Sequence, residues 1–481
     1  MSARVVSWSR HVAFLCVMFG CHSAPAGPPP PPADAIVEGR AGAGVHTDTI
    51  ESPFTITVDR ARWGGRTRGE RSPRFWDAVA ALDVAGAEQA AASVDQRTFA
   101  LALRKLMVGD PDAAAVAFGV LHSGAKDEVV RARARVGLTM ALSWRSDWAA
   151  LARIPPAPDS LTVEGDSLSL HATVERWAHA FANVPPPLVE IPAVPVTLPL
   201  RRSRFGTPVV TVRINGHPHE FWLDTGASMT LLSTDVAIEA GVHLAANDTL
   251  ALGVVAGHIE ARAIVIDSLS LGPVIARGLP AAVVGPNVLR LDERMVNGGV
   301  KSVPIEGVIG TDLLRQMDLV LDAGGGTLTI RRPRRELRAA RNLFWVGYPV
   351  VRLIARDGQP VLFGLDTGAE GTYVTTSLLR KLPRTPVAAR RGTIAGLGAQ
   401  QQHTEWVARE VAVSDGEYAL SLRNAPVAAD RRWTFVTFDG VLGSDVALGA
   451  RLHLDFANGI FEVRASDAPH VSDLHRQAPV P

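Results

Sequence analysis

The string FWLDTGAS at 221–228 returns as FGLDTGAE at 363–370. One Asp-Thr-Gly-Ala would say little in a chain of 481 residues, but two copies in matching surroundings require a common cause. Each closes an alternating segment, PVVTVRINGHPHEFWLDTGA at 208–227 and PVVRLIARDGQPVLFGLDTGA at 349–369. The period of two predicts strands, and Asn215-Gly216 and Asp357-Gly358 predict hairpin turns. The interval from turn glycine to motif aspartate is identical in both copies, Gly216 to Asp224 and Gly358 to Asp366. Each Asp therefore falls at the same place on its second strand.

A second element follows each motif. GVIGTDLLRQMDLVLDAGGGTLTI at 307–330 matches GVLGSDVALGARLHLDFANGIFEV at 440–463. Both run Gly, two apolar residues, Gly, Ser or Thr, Asp. Both then reach a further Asp after the same interval, Gly310 to Asp322 and Gly443 to Asp455. The C-terminal part is therefore expected to be mainly β and to hold two homologous lobes, 195–333 and 342–465, with a flexible tail at 466–481.

The region before the lobes differs. Over 71–190 the chain is Ala-rich with helical spacing, as at Val129, Ala132, Val136 and Met140. Gly109 ends a helix read over Phe99–Val108, and Asp110-Pro111 starts the next. Trp144, Trp148 and Trp177 are expected to seal helix contacts. The region loosely resembles a tetratricopeptide array; a plain helical domain and a solenoid that binds a protein partner both fit it. Residues 22–70 read as a Pro-rich tether (GPPPPPADA, 27–35) and a poorly defined segment with one strand candidate at 54–58.

Arg4 and Arg10 precede the apolar run at 12–20, too short for a bilayer span and suited to a signal peptide. Two cleavage readings compete: a lipobox over 18–21 that leaves a lipid anchor on Cys21, and an A-x-A site at 24–26. Either implies export, to a bacterial periplasm or as an outer-membrane lipoprotein. Cys16 and Cys21 are the only cysteines, so the body beyond them has no disulfide. A net charge of +1 gives no support to a nucleic-acid partner, and the run RRPRRELRAAR at 331–341 reads as a solvated linker.

The paired motifs resemble the aspartic peptidase superfamily, retropepsin-like in lobe size and pepsin-like in carrying both lobes on one chain. The resemblance covers somewhat over half of the chain and implies acid-protease-type lobes related by a pseudo-twofold axis, each giving one loop to the centre. Asp224 and Asp366 are then the candidate catalytic pair, with Val308-Ile309-Gly310 and Val441-Leu442-Gly443 packed beside them. The chemistry can also be argued directly. Two carboxylates held together cannot both ionise, so they share a proton. The ionised member takes a proton from water while the protonated one donates to the scissile carbonyl. Gly226 and Gly368 would let backbone amides approach the carboxylates. By resemblance, Thr225 and Thr367 would brace one loop against the other; ordinary turn residues are the alternative. Pepsin-like loops usually carry Ser after the motif glycine, whereas Ala227 and Ala369 are apolar here, so the pair is expected to keep its proton to higher pH.

A covering flap is sought at Gly253–His258 or Ile394–Gly398, neither with the Tyr of a pepsin-type flap. No H-E-x-x-H, P-loop, G-x-S-x-G or Cys/His spacing is present, so neither metal nor other cofactor is expected. The reading is an exported aspartic endopeptidase acting on polypeptide. Its rivals are a noncatalytic peptide-binding module with the same lobes and an envelope assembly lipoprotein working through its helices.

Overall fold

The computed structural model describes residues 54–63, 74–155, 169–203, 206–254, 257–285, 288–294, 300–334, 341–369, 371–396, 399–448 and 450–465. The expected signal peptide, lipobox, tether and C-terminal tail lie outside the described residues, as do most of the Arg-rich run and the flap tips at 255–256 and 397–398.

Two nine-stranded sheets carry the lobes, each with eight strands on one path and a ninth beside it (Arg201–Arg202 on Pro208–Ile214, Leu343–Trp345 on Pro349–Ala355), and their strand orders correspond. In the first, the path runs Leu188–Glu190, Val274–Val284, Leu231–Ser233, Gly307–Ile309, His217–Leu223, Pro208–Ile214, Gly257–Leu271, His243–Val254. In the second it runs Thr55–Arg60, Tyr418–Ala428, Tyr373–Thr375, Gly440–Leu442, Pro360–Leu365, Pro349–Ala355, Ala399–Ser414, Val387–Gly396. The predicted hairpins stand at the same step of each path. Asn215 and Gly216 both have positive φ (49° and 92°), which matches the right-handed strand twist through a two-residue loop. The second turn spans 356–359, with Gly358 at φ 85° and the Asp357 carboxylate accepting from the Gln359 amide at 3.0 Å.

A five-stranded sheet joins the lobes: Ile460–Ala465, Ala450–Asp455, Asp318–Asp322, Thr327–Arg331, Val196–Pro199. Its middle pair brings one strand from each lobe together antiparallel, with Val320 opposite His453. The repeated Asp322 and Asp455 end their strands and hold the turns that follow. They accept from Gly325 N at 2.8 Å and from Asn458 N at 3.1 Å.

Seven helices lie between Phe75 and Ala180 among the described residues. Asp110 caps Pro111–Gly124, accepting from Ala113 N at 3.2 Å, as its sequence predicted. The helix before it is longer than the sequence suggested. It runs Val94–Met107 because Ser93 caps it, accepting from Gln96 N at 3.1 Å. Ala132, Val136 and Met140 are buried, but Val129 is exposed: it sits in the first turn of Glu128–Trp144, on the solvent side.

The helices are packed onto the lobes in one continuous core. Trp148 and Trp177 both meet Phe181, at 5.3 and 5.9 Å between ring centroids, so they seal helices as expected. Trp177 also donates through Nε1 to Ala251 O in the first lobe at 2.9 Å. Trp144 instead meets Trp345, edge on at 5.2 Å, and Phe99 meets Phe435 at 5.8 Å, both in the second lobe. Buried Arg315 donates through Nη2 to Ser143 O at 3.0 Å and Trp144 O at 2.8 Å. The strand candidate at 54–58 becomes Thr55–Arg60, paired antiparallel with Tyr418–Ala428 at the edge of the second sheet. The chain thus completes one sheet, forms the helical layer, and then enters the other.

Candidate active site

Asp224 and Asp366 each follow the last residue of a central strand and are fully buried. The parallel neighbour fixes each loop's start: Asp224 N donates to Ile309 O at 3.0 Å, and Asp366 N to Leu442 O at 2.9 Å. Just beyond, Thr311 N and Ser444 N donate to Ala227 O and Ala369 O, both at 2.7 Å. The apolar-apolar-Gly segments picked out by sequence therefore hold both ends of each loop.

Within each loop the chain turns back on its own carboxylate. Asp224 Oδ1 accepts from Gly226 N at 2.7 Å and Ala227 N at 3.2 Å. Asp366 Oδ1 accepts from Gly368 N at 3.1 Å and Ala369 N at 2.9 Å. The threonines cross over. Thr225 Oγ1 donates to Leu365 O at 2.9 Å and accepts from Thr367 N at 3.0 Å. Thr367 Oγ1 donates to Leu223 O at 2.7 Å and accepts from Thr225 N at 3.0 Å. Four buried bonds thus tie together loops that lie far apart in the chain.

The same crossing explains the glycines. A Cβ on Gly226 would stand 2.4 Å from Asp366 Cγ, and one on Gly368 2.2 Å from Asp224 Oδ2. Each glycine is the wall against which the other loop's carboxyl rests, a close approach that any side chain would block. All of the sequence-predicted residues, Asp224, Thr225, Gly226, Asp366, Thr367 and Gly368, are brought together.

Burial above all, and then the negative charge of Asp366, push Asp224 well above the ordinary carboxylate range; a hydrogen bond to the Asp366 carboxyl adds to this, and the Gly226 and Ala227 amides oppose it. Asp224 Oδ2 has no amide or hydroxyl donor among the described residues. The motif offers no serine hydroxyl at Ala227 or Ala369, the ground for expecting the pair to keep its proton to higher pH. A hydroxyl from outside the motif does reach Asp366, whose Oδ2 accepts from buried Tyr348 Oη at 3.1 Å. Tyr348 precedes the hairpin and lies outside the motif, so nothing in the motif pointed to it.

A second matched set was also missed. Thr230 donates through N and Oγ1 to Asp312, at 3.0 and 2.9 Å, and Thr372 does the same to Asp445, at 2.8 and 2.6 Å. Each threonine stands at the same interval after its motif Asp, and each acceptor is the Asp of the second repeated element. These pairs anchor the far end of each loop to the short helix beside it. The signal was present as a repeated Thr at fixed spacing. Both flap candidates are tips of antiparallel hairpins, His243–Val254 with Gly257–Leu271 and Val387–Gly396 with Ala399–Ser414; the tips themselves lie outside the described residues. Among the described residues, no three His, Cys, Asp or Glu side chains converge as a metal site requires.

A family model described as aspartyl protease matches residues 210–313, which contain the first motif and its partner segment. No curated protein matches the chain. Among solved structures, a retropepsin-like aspartic protease from Rickettsia conorii is similar at 18% identity, covering 30% of this chain and 90% of that one, with a TM-score of 0.19. An aspartic proteinase from Irpex lacteus is similar at 12% identity, covering 57% of this chain and 98% of that one, with a TM-score of 0.33. The family match falls on the lobe that supplies Asp224, and the second lobe repeats its motif and strand order, so the aspartyl protease family is what the β half of the chain is similar to.

Proposed function

We propose that this protein is an aspartic endopeptidase that cuts polypeptide with water activated between Asp224 and Asp366. The observation that carries the reading is the crossed pair of loops: two fully buried carboxyls, each seated on the other loop's glycine and held by reciprocal threonine bonds. Such a frame keeps two acids close enough to share one proton, the state that supplies base and acid together.

The ionised carboxyl takes a proton from water as the water oxygen adds to the scissile carbonyl carbon. The protonated carboxyl gives its proton to the carbonyl oxygen, forming a tetrahedral diol. A proton then passes to the amide nitrogen and the C–N bond breaks, releasing a carboxyl and an amine. No covalent enzyme intermediate forms. We also propose that the lobes are the two halves of a duplicated unit related by a pseudo-twofold axis through the shared sheet. Export and a Cys21 anchor remain part of the proposal, supported by residues 1–35 of the sequence alone.

The test is incubation of the full chain with denatured proteins over a pH series, with fragments identified by mass spectrometry. Asp224→Asn and Asp366→Asn should each abolish cleavage while leaving near-UV circular dichroism unchanged. Substantial turnover in either single variant would rule out the dyad. Peptide binding without cleavage by the parent would favour the noncatalytic module.

A further inference from the structure

A shared proton must rest on one carboxyl or the other, and two identical loops give no reason to choose. The chain breaks the tie outside the loops. Both lobes begin their first hairpin with Gly-x-Pro-Val-Val, as Gly206-Thr207-Pro208 and as Gly347-Tyr348-Pro349. Tyr348 donates its hydroxyl to Asp366 Oδ2 at 3.1 Å. Thr207, fully buried at the matching position, is too short for this; neither its hydroxyl nor Asp224 Oδ2 has an amide or hydroxyl partner among the described residues.

A second difference accompanies the first. The apolar pair before each motif Leu is Phe221-Trp222 in one lobe and Phe363-Gly364 in the other. A Cβ on Gly364 would stand 2.9 Å from Tyr348 Cε1, so the missing side chain is what admits the tyrosine ring. Large and small have been exchanged between the two positions, which among the described residues places a hydroxyl on Asp366 Oδ2 and none on Asp224 Oδ2.

We propose that Tyr348 divides the labour of the pair: its hydroxyl holds the negative charge on Asp366 and leaves the proton on Asp224. This rests on the peptidase reading above. Asp366 is then the base that takes the proton of water, and Asp224 the acid that protonates the carbonyl oxygen. Tyr348 is a positioning residue, since it acts through Asp366. The raised pKa of Asp224 agrees with this assignment. Among the described residues, the titratable groups placed against Asp366 include Asp224 from the opposite loop and Tyr348 from the start of the hairpin, and Gly226, Gly368 and Ala369 touch it without charge.

The sign of the effect distinguishes this role from simple packing. A donor to ionised Asp366 favours the singly and doubly ionised pair equally over the doubly protonated one. Its removal raises the lower of the two coupled steps and leaves the upper unmoved. Tyr348→Phe keeps the ring that packs 5.7 Å from Phe438 and removes only the hydroxyl.

The experiment titrates the carboxyl carbon signals of the two aspartates in full-length protein carrying 13C-labelled aspartate, assigned with Asp224→Asn and Asp366→Asn. The pH profile of kcat/KM is measured beside it. The lower step should belong mainly to Asp366 and rise by about one pH unit in Tyr348→Phe, the size expected for losing a hydrogen bond to a charged group. A lower step carried by Asp224, a shift of the upper step instead, or no shift at all would overturn the assignment. Should the parent titrate as expected but cleave nothing, the peptidase reading fails and the assignment of charge stands. Should the parent cleave while the steps stay unmoved in Tyr348→Phe, the peptidase reading stands and the assignment fails.

Discussion

His453 offers a quantitative test of how the two lobes are held together. It lies opposite Val320 in the middle of the shared sheet. Its Nε2 is 2.8 Å from Asp318 Oδ1, on the first lobe's strand, and its Nδ1 is 3.2 Å from Glu462 Oε2, on its own lobe's last strand. Burial lowers its pKa, but the hydrogen bonds to Asp318 and Glu462, with their charges, outweigh burial and push it up from 6.5 to about 9. The imidazolium donates from both nitrogens, which matches two carboxylate acceptors.

A pKa raised by folding means that the folded state binds the proton more tightly. The contribution to stability is therefore complete below about pH 6.5 and is lost as pH climbs through about 9. A rise of about 2.5 pH units is worth about 3 kcal/mol. That figure is a ceiling, because Arg331 reaches Asp318 at 3.7 Å and Arg464 reaches Glu462 at 3.1 Å and would partly balance the carboxylates left behind. The perturbation is His453→Gln, which keeps a donor and removes the charge. Urea unfolding of parent and variant at about pH 6 and about pH 9.5 gives the difference in stability at each. The parent's advantage should shrink by up to about 3 kcal/mol between them. An advantage equal at both values would refute the charge argument and leave His453 as packing alone.

Three further outcomes follow from contacts described above. Gly226→Ala and Gly368→Ala should each destroy activity and lower the thermal midpoint, since the new methyl would meet the opposite carboxyl at 2.4 and 2.2 Å; a variant of normal stability and activity would contradict the crossed loops. Deleting everything before residue 190 should leave the lobes molten by near-UV circular dichroism, because it removes the edge strands Thr55–Arg60 and most of Leu188–Glu190 and uncovers Trp345 and Arg315; a cooperative truncated protein would show that the helices are dispensable. Ala227→Ser should lower the basic limb of the kcat/KM profile by offering a donor to Asp224, while Ala369→Ser should act on the acidic limb; an unmoved or raised basic limb in Ala227→Ser would sink the argument.

What the sequence made legible was local. Both hairpins, the turn glycines and the position of each Asp follow from period-two alternation and a fixed interval between turn glycine and Asp, all within one stretch of chain. The helix start at Asp110-Pro111 was equally local. What escaped depends on pairings that no short window contains. Thr55–Arg60 is an edge strand only because Tyr418–Ala428, near the other end of the chain, offers it a partner. Trp144 fits a helix seam by periodicity, yet its ring meets Trp345 of the second lobe. Val129 has helical spacing with its buried neighbours, but in the first turn that side of the helix is exposed. The separation of a helical region at 71–190 from lobes that begin at 195 describes a change of secondary structure and not a break in the core.

The site shows why a motif can be read correctly and still leave its chemistry incomplete. The repeated motif supplies two equal carboxyls, and the matched amide, threonine and glycine contacts keep them equal through the loops. Peptide hydrolysis needs them unequal at the moment water attacks. Within the loops little can differ, because each glycine must clear the opposite carboxyl and each threonine must reach the opposite strand. The difference therefore has to come from the layer behind. The strand residue before the motif Leu and the residue that opens the hairpin form such a layer, and there the lobes diverge: Trp222 with Thr207 on one side, Gly364 with Tyr348 on the other. A change at Gly364 alone would push against the Tyr348 ring, so the two substitutions make sense only together. On this argument Gly364→Ala should mimic Tyr348→Phe in part, raising the lower titration step by displacing the hydroxyl while leaving Asp366 and its amide donors in place. An unchanged step in Gly364→Ala, with Tyr348→Phe shifted, would show that the strand yields to the methyl and that the glycine is not needed for the tyrosine's reach.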